Sequence, residues 1–164
     1  MQTQPSFLIG RRAVTFGLLL ATSPAVAAPL PCPATRILFV CPAGTVKSAI
    51  AREFLRKRAL ERNIVVAVQS RAIHAEDHVS PALAAQLRAD GIDPRSDIAR
   101  DVYPDDVAKA DMIIAFDDAT KASGLERTEA WDIPSWNDQY AKAKAALAPK
   151  IDALLDRIES GRCR

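Results

Sequence analysis

The chain has 164 residues, of which 49% are hydrophobic and 26% are charged, with 22 lysines and arginines against 20 aspartates and glutamates. The formal net charge of +2 falls to zero without two arginines near the N-terminus. We therefore expect no binding to nucleic acid or to an anionic membrane, since nothing in this charge balance calls for either.

The first 28 residues have the pattern of a secretory signal peptide. Arg11 and Arg12 precede an apolar run, Ala13–Ala21, and the small residues Ala25–Ala27 follow it. This run is too short to span a membrane. We expect cleavage near residue 28 and a periplasmic or secreted product, exported by either the twin-arginine or the general route. Residues 29–35 then form a short N-terminal segment, and residues 36–164 form one domain.

The next segment has the order strand, cysteine, loop, helix. Ile37–Val40 is an apolar run of strand type, and Ala49–Asn63 has the spacing of a helix. Between them lie Cys41 and Ser48, joined by a loop of six residues: Pro42, Ala43, Gly44, Thr45, Val46 and Lys47. Such a loop turns backbone N–H groups toward one point, and the helix adds its positive end. The segment therefore favours a tetrahedral oxyanion beside a cysteine thiolate, the nucleophilic form of cysteine.

Strands and helices alternate in the rest of the chain, which predicts an α/β fold. The remaining predicted elements are strand Val65–Gln69, a helix capped by Ser80, a short helix from Pro104, strand Met112–Phe116, a helical piece Thr120–Ser123, strand Ala130–Ile133 and helix Asp138–Glu159. We expect a four-stranded parallel sheet flanked by helices in three layers. Ligands bind such sheets at the carboxyl ends of the strands, so Cys41, Asp117 and the Pro134–Tyr140 loop are expected to converge.

Three cysteines lie in the exported part of the chain. Cys32 comes just before the first strand and Cys163 just after the last helix, which places both at the bottom edge of a parallel sheet. We expect a Cys32–Cys163 disulfide that leaves Cys41 free at the top edge. Three free thiols are the alternative.

From Arg36 to Ile158 the chain resembles the low-molecular-weight protein tyrosine phosphatase family. The family motif is a strand ending in cysteine, five residues, arginine, serine or threonine, and a helix, and Cys41 and Ser48 stand at their places. Met112–Asp117 resembles the third strand with its structural aspartate, and Asp132–Trp136 resembles the segment of the general acid. The resemblance implies a cysteinyl-phosphate mechanism without a metal or other cofactor, and a phosphorylated small molecule or protein as substrate.

The chain departs from the family pattern at two positions that matter for catalysis. Lys47 stands where the family has arginine, so the positive charge is kept but the bidentate hydrogen bonding of a guanidinium to phosphate is lost. The general acid falls on Ser135, and we expect Asp138 or Asp132 to replace it. Residues 69–140 contain no cysteine, which excludes the thioredoxin-linked arsenate reductases of the family.

Trp136 and Tyr140 have two interpretations, a wall for an aryl phosphate or packing of the last helix onto the sheet. Cys41 has an alternative role as a buried core thiol, and Lys47 as a solvated surface lysine. His74 and His78 flank two acids in a polar loop, in which we expect no metal.

We predict a phosphatase-fold protein that hydrolyses phosphomonoesters, aryl phosphates first. A pseudophosphatase that binds an oxyanion or a phosphorylated partner without turnover is the alternative. A thiol sensor is a weaker third prediction, because no second cysteine lies near Cys41.

Overall fold

A computed structural model describes residues 33–93 and 97–161, in which strands and helices alternate along the chain. The elements are β1 (Thr35–Cys41), α1 (Lys47–Glu61), β2 (Val66–Ala72), α2 (Pro81–Ala89), α3 (Pro104–Lys109), β3 (Met112–Phe116), a 3₁₀ helix (Asp117–Lys121), β4 (Glu129–Trp131) and α4 (Tyr140–Gly161). The signal segment, Cys32 and Cys163 lie outside the described residues. No helix in the described part of the chain is long and apolar enough to cross a membrane.

The four strands form one parallel sheet in the order β2-β1-β3-β4. The predicted fold class is therefore confirmed. Because β1 is central, its carboxyl end lies between those of β2 and β3, and Cys41 pairs with Ala72 at that edge. The end of β1 is where such sheets place ligands.

The sheet is buried on both faces, which explains the continuous apolar run in β1. Ile37, Phe39 and Cys41 face the larger core, built with α1, α2 and α4. Leu38 and Val40 face a smaller core with β3 and the 3₁₀ helix. The cysteine thus points to the side of the sheet that carries α1, whose first turn adjoins it in sequence.

β2 is longer than the sequence pattern predicts, since it continues through three residues of which two are polar, to Ala72. Backbone pairing with β1 continues to the end of that strand, and the polar side chains find partners. Ser70 accepts a hydrogen bond from Arg52 (2.7 Å), and Arg71 pairs with Asp106 (2.8 Å). Backbone pairing with β1 and the hydrogen-bonded polar side chains therefore stabilise the end of β2, although its residues are less apolar than those of β1.

β4 is shorter than predicted and ends at Trp131 rather than Ile133. Its neighbour β3 ends at Phe116, which pairs with Trp131, so the next residues have no strand to pair with. The predicted helical piece also begins earlier, at Asp117, whose φ of 53° turns the chain directly after β3.

Candidate active site

Cys41 occupies the last position of β1, and its side chain is 3% exposed. The backbone N–H of Gly44 donates to the sulfur at 3.1 Å, and Ser48 Oγ lies 3.1 Å from the same atom. Two polar groups converging on one sulfur are not what a plain core thiol needs. The single proton of Ser48 Oγ is donated either to this sulfur or to the carbonyl of Arg71, which lies 3.3 Å from Oγ.

The loop after Cys41 turns at Gly44, where φ is +74°. A Cβ on this residue would lie 2.8 Å from Cβ of Ala72, the last residue of β2. Glycine is therefore required both for the backbone angle and for close packing on the neighbouring strand. This packing holds the Gly44 N–H against the sulfur.

The first turn of α1 is arranged to receive an anion. The helix begins at Lys47, Val46 makes no side-chain capping bond, and the first turn has no acidic residue. Its backbone N–H groups are therefore not capped by a side chain of the helix itself. Such a helix start attracts a phosphate through its N–H groups and the helix dipole.

Lys47 turns inward, and its side chain is only 16% exposed. Its Nζ donates to Asp117 Oδ1 at 2.6 Å, which connects the start of α1 to the end of β3. The alternative of a solvated surface lysine is therefore wrong. An ammonium has three N–H donors, so this ion pair leaves two of them for a ligand.

The loop after β2 is bound to the loop after Cys41 by four backbone hydrogen bonds. The N–H of Ile73 donates to the carbonyls of Cys41 and Pro42 (both 3.1 Å), that of His74 to Pro42 (2.9 Å), and that of Glu76 to Ala43 (3.0 Å). The next wall of the site is thus built by residues 73–77, and its position follows that of the cysteine loop.

A cavity of about 450 Å³ lies between these two loops. Its lining in the described residues consists of Gly44, Thr45, Ala75, Glu76, Asp77, Val79, Asp97, Ile98 and Ala99. The cavity touches the cysteine loop directly, so a group attached to a bound phosphate has room there. No sequence pattern indicated this cavity.

Asp138 is not among the residues that line this cavity. Its Oδ2 accepts a hydrogen bond from Ser135 Oγ at 2.7 Å. The neighbouring Asn137 Oδ1 accepts from Ser80 Oγ at 2.8 Å, and Val79, the residue before Ser80, lines the cavity. Asp132 is exposed and follows the end of β4, with no hydrogen bond found for it in the described residues.

Trp136 is not a substrate wall, because it is 1% exposed and belongs to the larger core. Its ring packs between Phe54 (6.0 Å between centroids) and Tyr140 (5.4 Å). The hydroxyl of Tyr140 bonds Asp90, just beyond the C-terminal end of α2, whereas the cavity borders the N-terminal end. Of the two interpretations, packing of the last helix is the one that the structure supports.

No sequence pattern predicted a role for Arg52. In the structure this arginine is buried, with 1% of its surface exposed. It lies one helical turn after Ser48, its Nη1 donates to Ser70 Oγ, and the same nitrogen is 3.7 Å from Asp97 of the cavity wall. Its spacing of four residues from Ser48, which puts the two side chains on one helix face, was the available signal. Arg52 thus lies between Ser70 of β2 and Asp97 of the cavity wall.

Within the described ranges, no group of three or more histidines, cysteines, aspartates and glutamates could hold a metal ion. Cys41 is a free thiol. The Cys32–Cys163 pairing falls outside the described residues and stays a prediction.

Comparison with known proteins places this geometry in a family. The family model described as low molecular weight phosphotyrosine protein phosphatase matches residues 36–146. A search of curated proteins finds no match.

Solved structures share the fold at low identity. YfkJ from Bacillus subtilis is 19% identical with a TM-score of 0.66, covering 78% of this chain and 96% of its own. A low molecular weight protein tyrosine phosphatase from T. tengcongensis is 20% identical with a TM-score of 0.62, covering 76% and 99%. The YwlE arginine phosphatase from Geobacillus stearothermophilus is 20% identical with a TM-score of 0.61, covering 77% and 94%.

Proposed function

Because the chain belongs to the low molecular weight phosphotyrosine protein phosphatase family, we propose that it hydrolyses phosphomonoesters, aryl phosphates preferentially, with Cys41 as nucleophile. The observation that carries this proposal is the pair of 3.1 Å contacts from Gly44 N and Ser48 Oγ to the sulfur of Cys41. Family membership and fold support phosphatase activity in general, and these contacts supply the activated nucleophile.

In the first step, the Cys41 thiolate attacks phosphorus opposite the ester oxygen. The S–P bond forms, the P–O bond to the leaving group breaks, and the leaving oxygen takes a proton from an acid. The N–H groups at the start of α1 hold the phosphoryl oxygens, which carry negative charge throughout the step.

In the second step, water attacks the cysteinyl phosphate. The acid of the first step, now a carboxylate, accepts a proton from this water, the O–P bond forms and the S–P bond breaks. Inorganic phosphate leaves, and the released thiolate is again stabilised by Ser48 and Gly44.

Lys47 supplies positive charge to the phosphoryl group through the two donors that Asp117 leaves free. A lysine lacks the parallel pair of donors with which arginine grips two oxygens. The proposal therefore predicts a slow enzyme.

Asp138 is the proposed general acid, with Asp132 as the less favoured candidate. Two contacts support this choice: Asn137, next to Asp138 in the chain, bonds Ser80, and Asp138 itself accepts a hydrogen bond from Ser135. A positioned acid contributes about 10² to 10⁴ in rate for a poor leaving group.

We propose that the protein acts in the periplasm or outside the cell, because residues 1–28 have the signal-peptide pattern. Fractionation of cells that express the full chain tests this. A mature protein shortened by about 28 residues in the exported fraction is expected, whereas full-length protein retained in the cytoplasm would contradict export.

Hydrolysis of p-nitrophenyl phosphate by the mature protein tests the reaction, with Cys41→Ser as the control. The leaving group of this ester needs little protonation, so the assay reports on nucleophile and loop alone. Turnover that disappears in Cys41→Ser supports the proposal. Equal rates in both proteins would overturn it.

A pseudophosphatase is the second candidate, favoured by the ion pair that holds Lys47 on Asp117 and by serine at position 135. It predicts phosphate binding without turnover. Isothermal titration with inorganic phosphate, in wild type and in Lys47→Ala, separates this candidate from a protein that does not bind anions.

A further inference from the structure

We infer that the cavity beside the cysteine loop selects phosphomonoesters whose leaving group carries a positive charge, an ammonium or a guanidinium. This inference deepens the proposed function, on which it rests, by naming the substrate class. It stands on the position of the cavity and on the charges of its lining.

The position is set by backbone contacts. Gly44 and Thr45, three and four residues after the nucleophile, form one side of the cavity, and Glu76 and Asp77 form another. The Glu76 N–H donates to Ala43 at 3.0 Å, so this wall is bound directly to the cysteine loop. On its other side, the Ala75 N–H donates to Asp101 Oδ1 at 2.7 Å. A leaving group that extends from a bound phosphate into this cavity therefore passes close to Glu76 and Asp77.

Among the described residues, the lining of the cavity carries more negative than positive charge. Three carboxylates and no lysine or arginine line the cavity among the described residues. Asp97 is 3.7 Å from Arg52 and is partly neutralised. In the described ranges, the ion-pair partner found for Glu76 is His78, at 3.7 Å and 77% exposed, and none is found for Asp77. Glu76 and Asp77 thus supply most of the charge.

These carboxylates lie beside a site proposed to bind a dianion, which they repel. A positive charge on the leaving group is instead attracted by these carboxylates, while the phosphate stays bound at the cysteine loop. One surface carboxylate changes the binding constant of a unit charge several ångströms away by about two- to sixfold. Two carboxylates acting on a cation instead of an anion separate the two ligands by about tenfold or more.

The closing experiment measures binding, so that it does not depend on turnover. The ligands are 4-(aminomethyl)phenyl phosphate and 4-(carboxymethyl)phenyl phosphate, which differ in charge but little in size. Their dissociation constants are measured by titration calorimetry on the Cys41→Ser protein, alone and with Glu76→Gln and Asp77→Asn added. The control adds Asp156→Asn instead, which neutralises an exposed carboxylate (68%) four turns along α4 from its start.

The expected result is a preference of at least about tenfold for the cationic ligand, which falls below about threefold in the double neutral variant and is unchanged by Asp156→Asn. Raising the salt concentration reduces it. Equal affinities, no binding of either ligand, or a preference that survives neutralisation would overturn the inference. A matched pair of phosphotyrosine peptides, flanked by lysine or by glutamate, then shows whether the cationic ligand is a protein segment or a small molecule. Preference in both pairs indicates a basic protein segment, and preference in the small pair alone indicates a small molecule.

Hydrolysis of the same ligands by the wild-type protein is measured separately. Absence of turnover with an intact binding preference would remove the proposed reaction and leave the cationic selectivity standing. Turnover of both ligands without a binding preference would support the proposed reaction and overturn the cationic selectivity.

Discussion

At the scale of single residues, the site depends on a few short contacts around Cys41. Ser48 is fully buried, although it is polar, because Cys41 and the carbonyl of Arg71 satisfy its hydroxyl. A buried hydroxyl costs free energy unless it is bonded, so its presence indicates a role that alanine cannot fill.

Replacing Ser48 by alanine removes one of the two polar groups within 3.1 Å of the Cys41 sulfur. We expect alkylation of Cys41 by iodoacetamide at neutral pH to slow several-fold, and p-nitrophenyl phosphate turnover to fall by about tenfold or more. Ser160→Ala is the control, since this exposed serine bonds only the carbonyl of Arg157 at the end of α4. Unchanged alkylation in Ser48→Ala would show that the hydroxyl serves packing alone.

The Lys47→Arg variant tests whether the lack of bidentate hydrogen bonding to phosphate limits the rate of hydrolysis. Arginine keeps the charge beside Asp117 and restores parallel donors, so turnover of p-nitrophenyl phosphate is expected to rise by about tenfold or more. Lys121→Arg is a matched control, because Lys121 makes a similar ion pair with Asp118 at 2.7 Å on the exposed surface. No gain in Lys47→Arg would favour the pseudophosphatase.

At the scale of elements, the site is the junction of β1, α1 and the loop after β2. The strand places the sulfur, the helix start supplies N–H groups, and backbone bonds from Ile73 to Glu76 attach the cavity wall. This junction requires glycine at position 44, because a side chain there would collide with Ala72 at the end of β2.

Gly44→Ala should therefore disrupt both stability and the site. Gly124 is a matched control, because its φ of +84° is similar but an added Cβ would meet nothing within 4 Å. We expect Gly124→Ala to cost about 1 kcal/mol in free energy of unfolding, the strain of the backbone angle alone. Gly44→Ala adds the clash with Ala72 and should cost about 2–4 kcal/mol, with loss of phosphate binding.

Urea denaturation and phosphate titration of both variants measure these effects. Equal losses of stability, with phosphate binding intact in Gly44→Ala, would mean that the loop adjusts and that close packing on β2 is not required.

At the scale of the whole molecule, an ion pair joins α2 to α4 behind the site. Lys144 Nζ donates to Asp90 Oδ2 at 2.8 Å, and the hydroxyl of Tyr140 donates to the same carboxylate. These bonds, that of Lys144 first, lower the pKa of Asp90 below its usual 3.8, whereas burial raises the pKa of Tyr140. The last helix is thereby attached to the end of α2.

A lowered carboxyl pKa gives stability that is present above the usual value and is lost as the pH falls through the lower, folded value. The free energy of unfolding should therefore decline below about pH 4. Asp90→Asn should lower stability at pH 7 by about 1 kcal/mol and reduce this acid loss. Asp118→Asn is the control, since its bond with Lys121 is exposed and screened. Chemical denaturation from pH 2.5 to 7 measures both, and identical acid profiles of wild type and Asp90→Asn would contradict the assignment.

A Cys32–Cys163 disulfide would close the domain from before β1 to beyond α4. A thiol titration of the unfolded, oxidised mature protein is expected to find one thiol, that of Cys41. Three thiols would mean that the two terminal cysteines stay reduced.

The layers, the parallel sheet and the cysteine loop could be predicted because their signals are local. A buried parallel strand requires an apolar run, as in Ile37–Val40, and a loop that precedes a helix start has a recognisable sequence. Trp136 could not be assigned in this way, because the same aromatic suits a ligand wall or a core. Its contacts with Phe54 and Tyr140 come from residues distant in the chain.

The sequence by itself determined the fold class, the pairing of Cys41 with Ser48 at the cysteine loop, and the departures from the family pattern at positions 47 and 135. Periodicity and motif spacing report the near neighbours of a residue, and these features depend on near neighbours. Only the tertiary structure decided that Lys47 is bound to Asp117, that Trp136 is buried, and that Glu76 and Asp77 line a cavity against the cysteine loop. Each of these depends on packing between segments separated by tens of residues, which no local pattern records.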